Sequence, residues 1–264
     1  MQHALFFMPS GELADPRAAA EVAAAAEEGG WDGVFLWDHV LRHAHEPQEI
    51  GDPWVTMAAM AMVTERVRLG PMVTPITRRR PIKLAREAIS IDHLSRGRLT
   101  LGLGLGVDHS RELTGFGEVV DARTRGARLA EGAELLTRLW SGETVHHRGE
   151  HFVADDVCVL PRPVQQPRIP LWFAARGEAR KPVRRAARYD GLVPVEVDLD
   201  GLAAMIDVVV EERGDLDGFD VAMMYPGDDD LDRAEALGVT WTLHTKRPGV
   251  TVAELLTAAT AGPG

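Results

Sequence analysis

A chain of 264 residues, 45% of them apolar, can bury one large α/β core or two small ones. Its 40 acidic residues against 29 basic ones leave a net charge of −11, which opposes nonspecific binding to nucleic acid or anionic membrane and favours a small-molecule partner. A single cysteine, Cys158, excludes an intrachain disulfide and any multi-cysteine metal site, and it suits a reducing compartment.

The amino-terminal stretch MQHALFFMPSGE has no basic n-region, and its apolar run is too short for a signal peptide or a membrane span, so a cytoplasmic protein is expected. HALFFM at 3–8 is a short apolar strand closed by Pro9, Ser10 and Gly11. Asp15 before Pro16 supplies an N-cap and an N1 proline for an alanine-rich helix that runs to Glu28 and stops at Gly29 and Gly30. DGVFLW at 32–37 is the second strand, and Asp52 with Pro53 repeats the capping signal for a helix through Thr64. VRLGPMV at 67–73 leads through TPITRRRP into a helix from Pro81, whose apolar face is Leu84, Ala85, Ala88, Ile91 and Leu94 before SRG ends it. The strand RLTLGLGLG follows, then an irregular stretch at 108–121, then a helix marked by Leu129, Ala133, Leu136 and Trp140.

Residues 143–168 break the rhythm: HFVA and VCVLPRP are apolar pieces without helical period, rich in proline, and they read as an excursion or small hairpin. Alternation resumes with PLWFAA at 170–175, a helix to Arg188, GLVPVEV at 191–197 and a helix over 201–213. FDVAMMY and VTWTLHT are the last strands, with helices at 230–237 and 252–261. Eight strands and eight helices in succession, with no phosphate fingerprint at the first turn, favour a single (β/α)8 TIM barrel over residues 1–264 rather than a doubly wound open sheet.

The glycine-rich strand stands out. Leu99, Leu101, Leu103 and Leu105 point one way, while Thr100, Gly102, Gly104 and Gly106 point the other. Glycines at alternate positions suit a ligand or another backbone that comes close, and equally the relief of crowding inside a closed barrel. A Rossmann fingerprint is excluded, because Val107 or His109 stands where the third glycine of G-x-G-x-x-G belongs.

Barrel chemistry gathers just past the strand C-termini. Those positions hold Asp38 and His39, Thr74, Asp108 and His109, Arg176 and Gly177, Glu196, Tyr225 and His244. His39 is suited to proton transfer near neutral pH, and the competing reading makes it a structural histidine that holds Asp38. Asp108 and Glu196 are a possible acid–base pair. The run Arg78, Arg79, Arg80 can attract an anion, although charge runs before a helix are usually solvated. Trp37 and Trp172 wall a pocket or pack in the core. His43, His45 and His39, with His146, His147 and His151, keep a metal-dependent TIM-barrel hydrolase open as an alternative, since imidazole suits zinc.

RLGPMVTP, RRRPIKLAREAISIDHLSRGRLTLGLGLG, the preceding FLWDH and the following CVLPRPVQQPRIPLWFAARGEARKPVRRAARYDG together resemble the bacterial luciferase-like monooxygenase superfamily over roughly residues 1–197. The resemblance implies a (β/α)8 barrel that binds FMN or the deazaflavin coenzyme F-420 (F420) at the strand C-termini. It further implies an oxidoreductase or monooxygenase acting on a small organic substrate, a homodimer, and possible supply of reduced cofactor by a separate reductase. By the same resemblance, Asp38 and His39 border the reactive edge of the ring. Met72, Val73 and Thr74 match the bulged segment that supports its central face, where relatives often hold a non-proline cis peptide. Asp108 falls where some deazaflavin enzymes carry an acid, and Ala175, Arg176 and Gly177 match the phosphate-holding loop. No metal ligand is implied.

A flat tricyclic ring needs a bare surface, which Gly102, Gly104 and Gly106 would offer, and its ribityl phosphate needs backbone donors and a cation, which Gly177, Arg176 and the next helix would offer. A noncatalytic flavin-binding protein on the same barrel is the third reading.

Overall fold

The computed structural model describes residues 1–42, 46–177 and 179–263. In chain order the main elements are β1 (Gln2–Phe7), α1 (Pro16–Glu28), β2 (Gly33–Leu36), α2 (Pro53–Val63), β3 (Arg68–Pro71), β4 (Thr74–Pro75), α3 (Pro81–Leu94), β5 (Leu101–Gly104) and α4 (Ala122–Leu139). The hairpin strands β6 (Val145–Arg148) and β7 (Val153–Val157) follow, then β8 (Leu171–Arg176), α5 (Arg180–Ala186), β9 (Gly191–Val195) and α6 (Leu199–Arg213). The chain closes with β10 (Asp220–Met224), α7 (Leu231–Ala236), β11 (Trp241–Thr245) and α8 (Val252–Ala261).

The parallel sheet runs β3-β2-β1-β11-β10-β9-β8-β5-β4. A parallel bridge between Leu69 and Leu99 joins its ends, held by Leu69 N–H to the Arg98 carbonyl (3.0 Å) and Thr100 N–H to the Leu69 carbonyl (2.9 Å). β3 and β4 are two halves of one stave, parted at the cis peptide Met72–Val73, so the nine strands make eight staves and a TIM barrel. The expected strand 67–73 therefore ends early. The excursion at 143–168 carries the antiparallel β6–β7 hairpin.

Local chemistry sets the helix starts. Asp15 caps α1 by accepting from the Arg17 amide, Asp52 caps α2 by accepting from Trp54 and Val55, and Pro16 and Pro53 fill the first helical turns. α4 begins well before its apolar repeat because Asp121 accepts from the Thr124 amide. Among the described residues no helix is long and apolar enough to cross a membrane.

Alternation along each strand divides the core in two. Leu5, Phe7, Val34, Leu36, Leu69, Leu101 and Leu103 face outward into the layer beneath the helices. Ala4, Phe6, Phe35, Trp172, Val193, Ala222, Trp241 and Leu243 fill the barrel. The Trp172 ring lies 5.8 Å from both Phe35 and Trp241, so it plugs the interior rather than walling a pocket.

The glycine face of β5 is not a bare floor. A β-carbon on Gly102 would stand 2.4 Å from the Pro71 carbonyl oxygen and 2.8 Å from Met72 Sδ, and one on Gly104 would stand 2.4 Å from Val73 Cγ2. The missing side chains seat the break between β3 and β4, so a flat ligand cannot lie directly on the glycines as the sequence reading supposed. Gly102→Ala is expected to cost about 1–3 kcal/mol through overpacking against backbone. The effect would be read as a lower urea midpoint; an unchanged midpoint would refute this packing.

Candidate active site at the barrel mouth

Asp38, one residue beyond Trp37 at the end of β2, has a fully buried side chain. Thr74 Oγ1 donates to it at 2.7 Å, Arg79 Nη2 at 2.8 Å and Arg78 Nη2 at 3.0 Å. With its oxygens engaged by two guanidinium groups and a hydroxyl, the carboxylate anchors the mouth and is not free to act as a base. This placement makes Asp38 an anchor beside the candidate site rather than a catalytic group. It also corrects the picture of a solvated arginine run: the Arg78 and Arg79 side chains are only 6% and 17% exposed, and Arg80 alone of the three stays on the surface.

His39 does not hold Asp38. Its Nδ1 lies 2.7 Å from Glu112 Oε2, in the loop after β5. Glu112 is 1% exposed and also accepts from the amides of Val40 (2.6 Å) and Leu41 (3.3 Å), with Arg78 Nη1 at 3.5 Å. Burial would raise its pKa, but the His39 contact, the Val40 amide and Arg78 outweigh that and hold it below the usual glutamate range. An ionised carboxylate only accepts, so Nδ1 carries the proton. Nε2 has no protein partner among the described residues, and the ring stays 18% exposed. Arg78 thus ties both acidic anchors together. Sequence reading missed Glu112, which sits in an irregular stretch with no periodicity to mark it.

Asp108 Oδ1 accepts from the amides of Leu113 (2.7 Å) and Thr114 (3.0 Å) and staples that loop. Desolvation opposes ionisation, yet these amides and Arg125 hold its carboxyl below the usual range, which leaves it no proton to give at neutral pH. The acid role expected for Asp108 is therefore not supported. Glu196 pairs with Arg176 at 2.6 Å on an exposed rim, so Asp108 and Glu196 do not form an acid–base couple.

Met72 and Thr74 are buried beside this network and Val73 is half-buried. Gly106 and Gly177 take left-handed backbone, with φ of 73° and 58°. Trp37 packs on Phe6 and on His39, with the Arg42 guanidinium 5.1 Å from its ring centroid. Trp37 Nε1 and Arg42 Nε are buried without partners. Such orphaned donors fit a mouth that takes a polar ligand. Val195 and Met224 add apolar surface to the same interior cluster.

Other candidates lie elsewhere. His244 turns outward, stacked on Tyr225 at 4.2 Å and 3.1 Å from His3 Nδ1, and burial with the nearby His3 lowers its pKa to about 4. His147 pairs with Glu131 and His146 lies near Asp155, both on the hairpin, while His43 and His45 fall outside the described residues. Among the described residues no group of three or more His, Cys, Asp or Glu side chains is placed to hold a metal ion, so the hydrolase alternative finds no support.

A family model described as luciferase-like monooxygenase matches residues 3–230. An F420-dependent glucose-6-phosphate dehydrogenase of Gordonia bronchialis is 36% identical over 189 residues, covering 71% of this chain and 54% of that protein. The enzyme of the same name from Nakamurella multipartita is 31% identical over 256 residues, covering 92% of this chain and 73% of that protein. This chain spans about half the length of most such relatives. The F420-dependent tetrahydromethanopterin reductase of Methanopyrus kandleri shares the fold, with a TM-score of 0.77 at 15% identity over 99% of this chain and 98% of that one.

Proposed function

Since this chain belongs to the luciferase-like monooxygenase family, we propose that it is an oxidoreductase that works with F420, or failing that FMN, on a small organic substrate at the barrel mouth. The observation that carries the reading is His39, held through Nδ1 by a buried, ionised Glu112 and open at Nε2. The similarity to F420-dependent glucose-6-phosphate dehydrogenases supports the deazaflavin over FMN.

The residues that would hold the ring are Met72, Val73 and Thr74, backed by Gly104 and Gly106, with the orphaned Trp37 Nε1 beside them. Ala175, Arg176 and Gly177 would hold the phosphate, Arg176 by exchanging its exposed and therefore weak pairing with Glu196. A bound deazaflavin supplies hydride transfer. The chain supplies the proton chemistry: His39 Nε2 takes a hydroxyl proton from an alcohol-type substrate or returns one to a carbonyl, and Glu112 steadies the charged ring meanwhile. Asp38 keeps Thr74, Arg78 and Arg79 in register under that exchange. A homodimer, a cytoplasmic setting and an outside reductase belong to the same proposal.

Titrating the purified protein with F420 and with FMN, followed by fluorescence, tests it. F420 should bind below about 10 μM, a Kd that corresponds to roughly 7 kcal/mol. Binding of neither cofactor would overturn the reading, and tight binding without any turnover would make the protein a noncatalytic carrier.

A further inference from the structure

α4 packs against α3, and α5 against α6. Where α4 and α5 face each other there is a cavity of about 800 Å³, lined by Asp121, Arg123, Lys181, Arg185, Arg188 and the hairpin residue Glu150 among others. On α5 the arginines that reach α6 are paired: Arg180 meets Glu211, and Arg184 Nε lies 2.9 Å from Glu212. Arg123, Lys181, Arg185 and Arg188 have no hydrogen bond or ion pair from their side chains among the described residues.

Arg185 is the centre of this group. Its guanidinium reaches across to α4 and lies 3.7 Å from where a β-carbon on Gly126 would stand. It is half-buried, and desolvation pushes its pKa below the usual arginine value, with no carboxylate to offset the cost. His151 Nε2, on the same wall, is buried without a partner as well. In a chain of net charge −11, three exposed cations and the half-buried Arg185 gather on one cleft beside Asp121 and Glu150, and among the described residues none of the four makes an ion pair.

We propose that the cleft between α4 and α5 binds a small polyanion bearing two or more phosphate or carboxylate groups, at a site separate from the barrel mouth. Guanidinium forks grip both kinds of oxyanion in bidentate fashion. The volume suits a small molecule. Because Arg185 is half-buried within the cleft, a small solute is the occupant that fits it.

The test needs no cofactor, so its outcome is independent of the reading of the mouth. Inorganic pyrophosphate and citrate are titrated into the protein by calorimetry, and the thermal shift each produces is recorded. At least one should bind, more weakly as salt rises, and the tighter of the two tells a phosphorylated ligand from a polycarboxylate. Arg185→Gln should weaken that binding about tenfold or more without lowering the midpoint of the free protein, since among the described residues the wild-type guanidinium makes no hydrogen bond or ion pair. Gly126→Glu, which sets the chain's own carboxylate against Arg185, should abolish binding and leave every cation in place. Failure of both anions to bind wild-type protein overturns the proposal. Binding unchanged in both variants does too, as would a variant that altered only the sedimentation of the protein.

Discussion

Replacing His39 by Asn should cut turnover by about 10²–10⁴-fold, the range for a lost proton-transfer group, while coenzyme affinity and thermal midpoint stay near the wild-type values. Asparagine can still donate an amide hydrogen to Glu112, so the loop after β5 keeps its attachment to the end of β2. What it cannot do is carry a proton at the position of Nε2. Glu112→Gln should give a smaller loss of about tenfold, because a charge-assisted hydrogen bond becomes a neutral one. Glu112 is thus a positioning residue that acts through the imidazole. Single-turnover oxidation or reduction of bound coenzyme, measured alongside the binding titration, separates the effects. A folded His39→Asn protein with wild-type turnover would remove the histidine from the chemistry.

Asp38→Ala should lower the stability of the fold by about 3–5 kcal/mol, the cost of stripping one partner from a buried ionic cluster. The carboxylate has no exposed side-chain surface and meets Arg79 at 2.8 Å, Arg78 at 3.0 Å and Thr74 at 2.7 Å. Its removal leaves Arg78 with the backbone carbonyl of residue 38 at 2.8 Å and the 3.5 Å approach to Glu112 as its remaining contacts, and Arg79 with Glu87 at 3.7 Å. Urea unfolding reads this directly, and Arg148→Ala is the reference because the Arg148–Asp155 pair is exposed on the hairpin. That surface change should cost under about 1 kcal/mol. If Asp38→Ala proved no worse than Arg148→Ala, the mouth would not be organised around a buried anchor. If the variant is folded, coenzyme binding should weaken too, since Thr74 and both arginines lose the group that aligns them.

Much of the architecture could be read from local signals. Asp-Pro pairs at 15–16 and 52–53 start helices because a cap and a fixed φ act within a few residues. Alternation of two along each strand shows which residues share a face, and leucines 99, 101 and 103 do line the outer core. The succession of eight such units implied a closed barrel, and the cis peptide at Met72–Val73 lies where the family resemblance placed it. Each of these signals is either confined to a short window or repeated often enough to be counted.

What joins distant parts of the chain was not legible. His39 was matched in sequence to its neighbour Asp38, yet it pairs with Glu112, 73 residues away, and Asp38 pairs with arginines 40 and 41 residues away. The run of three arginines reads as surface because its composition is that of surface; two of them are buried because Asp38 and Glu112 are there to neutralise them. The empty face of β5 likewise says that something comes close, and only the folded chain shows it to be Pro71, Met72 and Val73. The sequence alone therefore determined the staves, the helices and the end of the barrel that carries the chemistry, since those follow from each residue's own neighbourhood. Tertiary structure decided which charges are spent on one another and which remain open, at His39 Nε2 and at Arg185, because ion pairing depends on approach in space that no local pattern encodes.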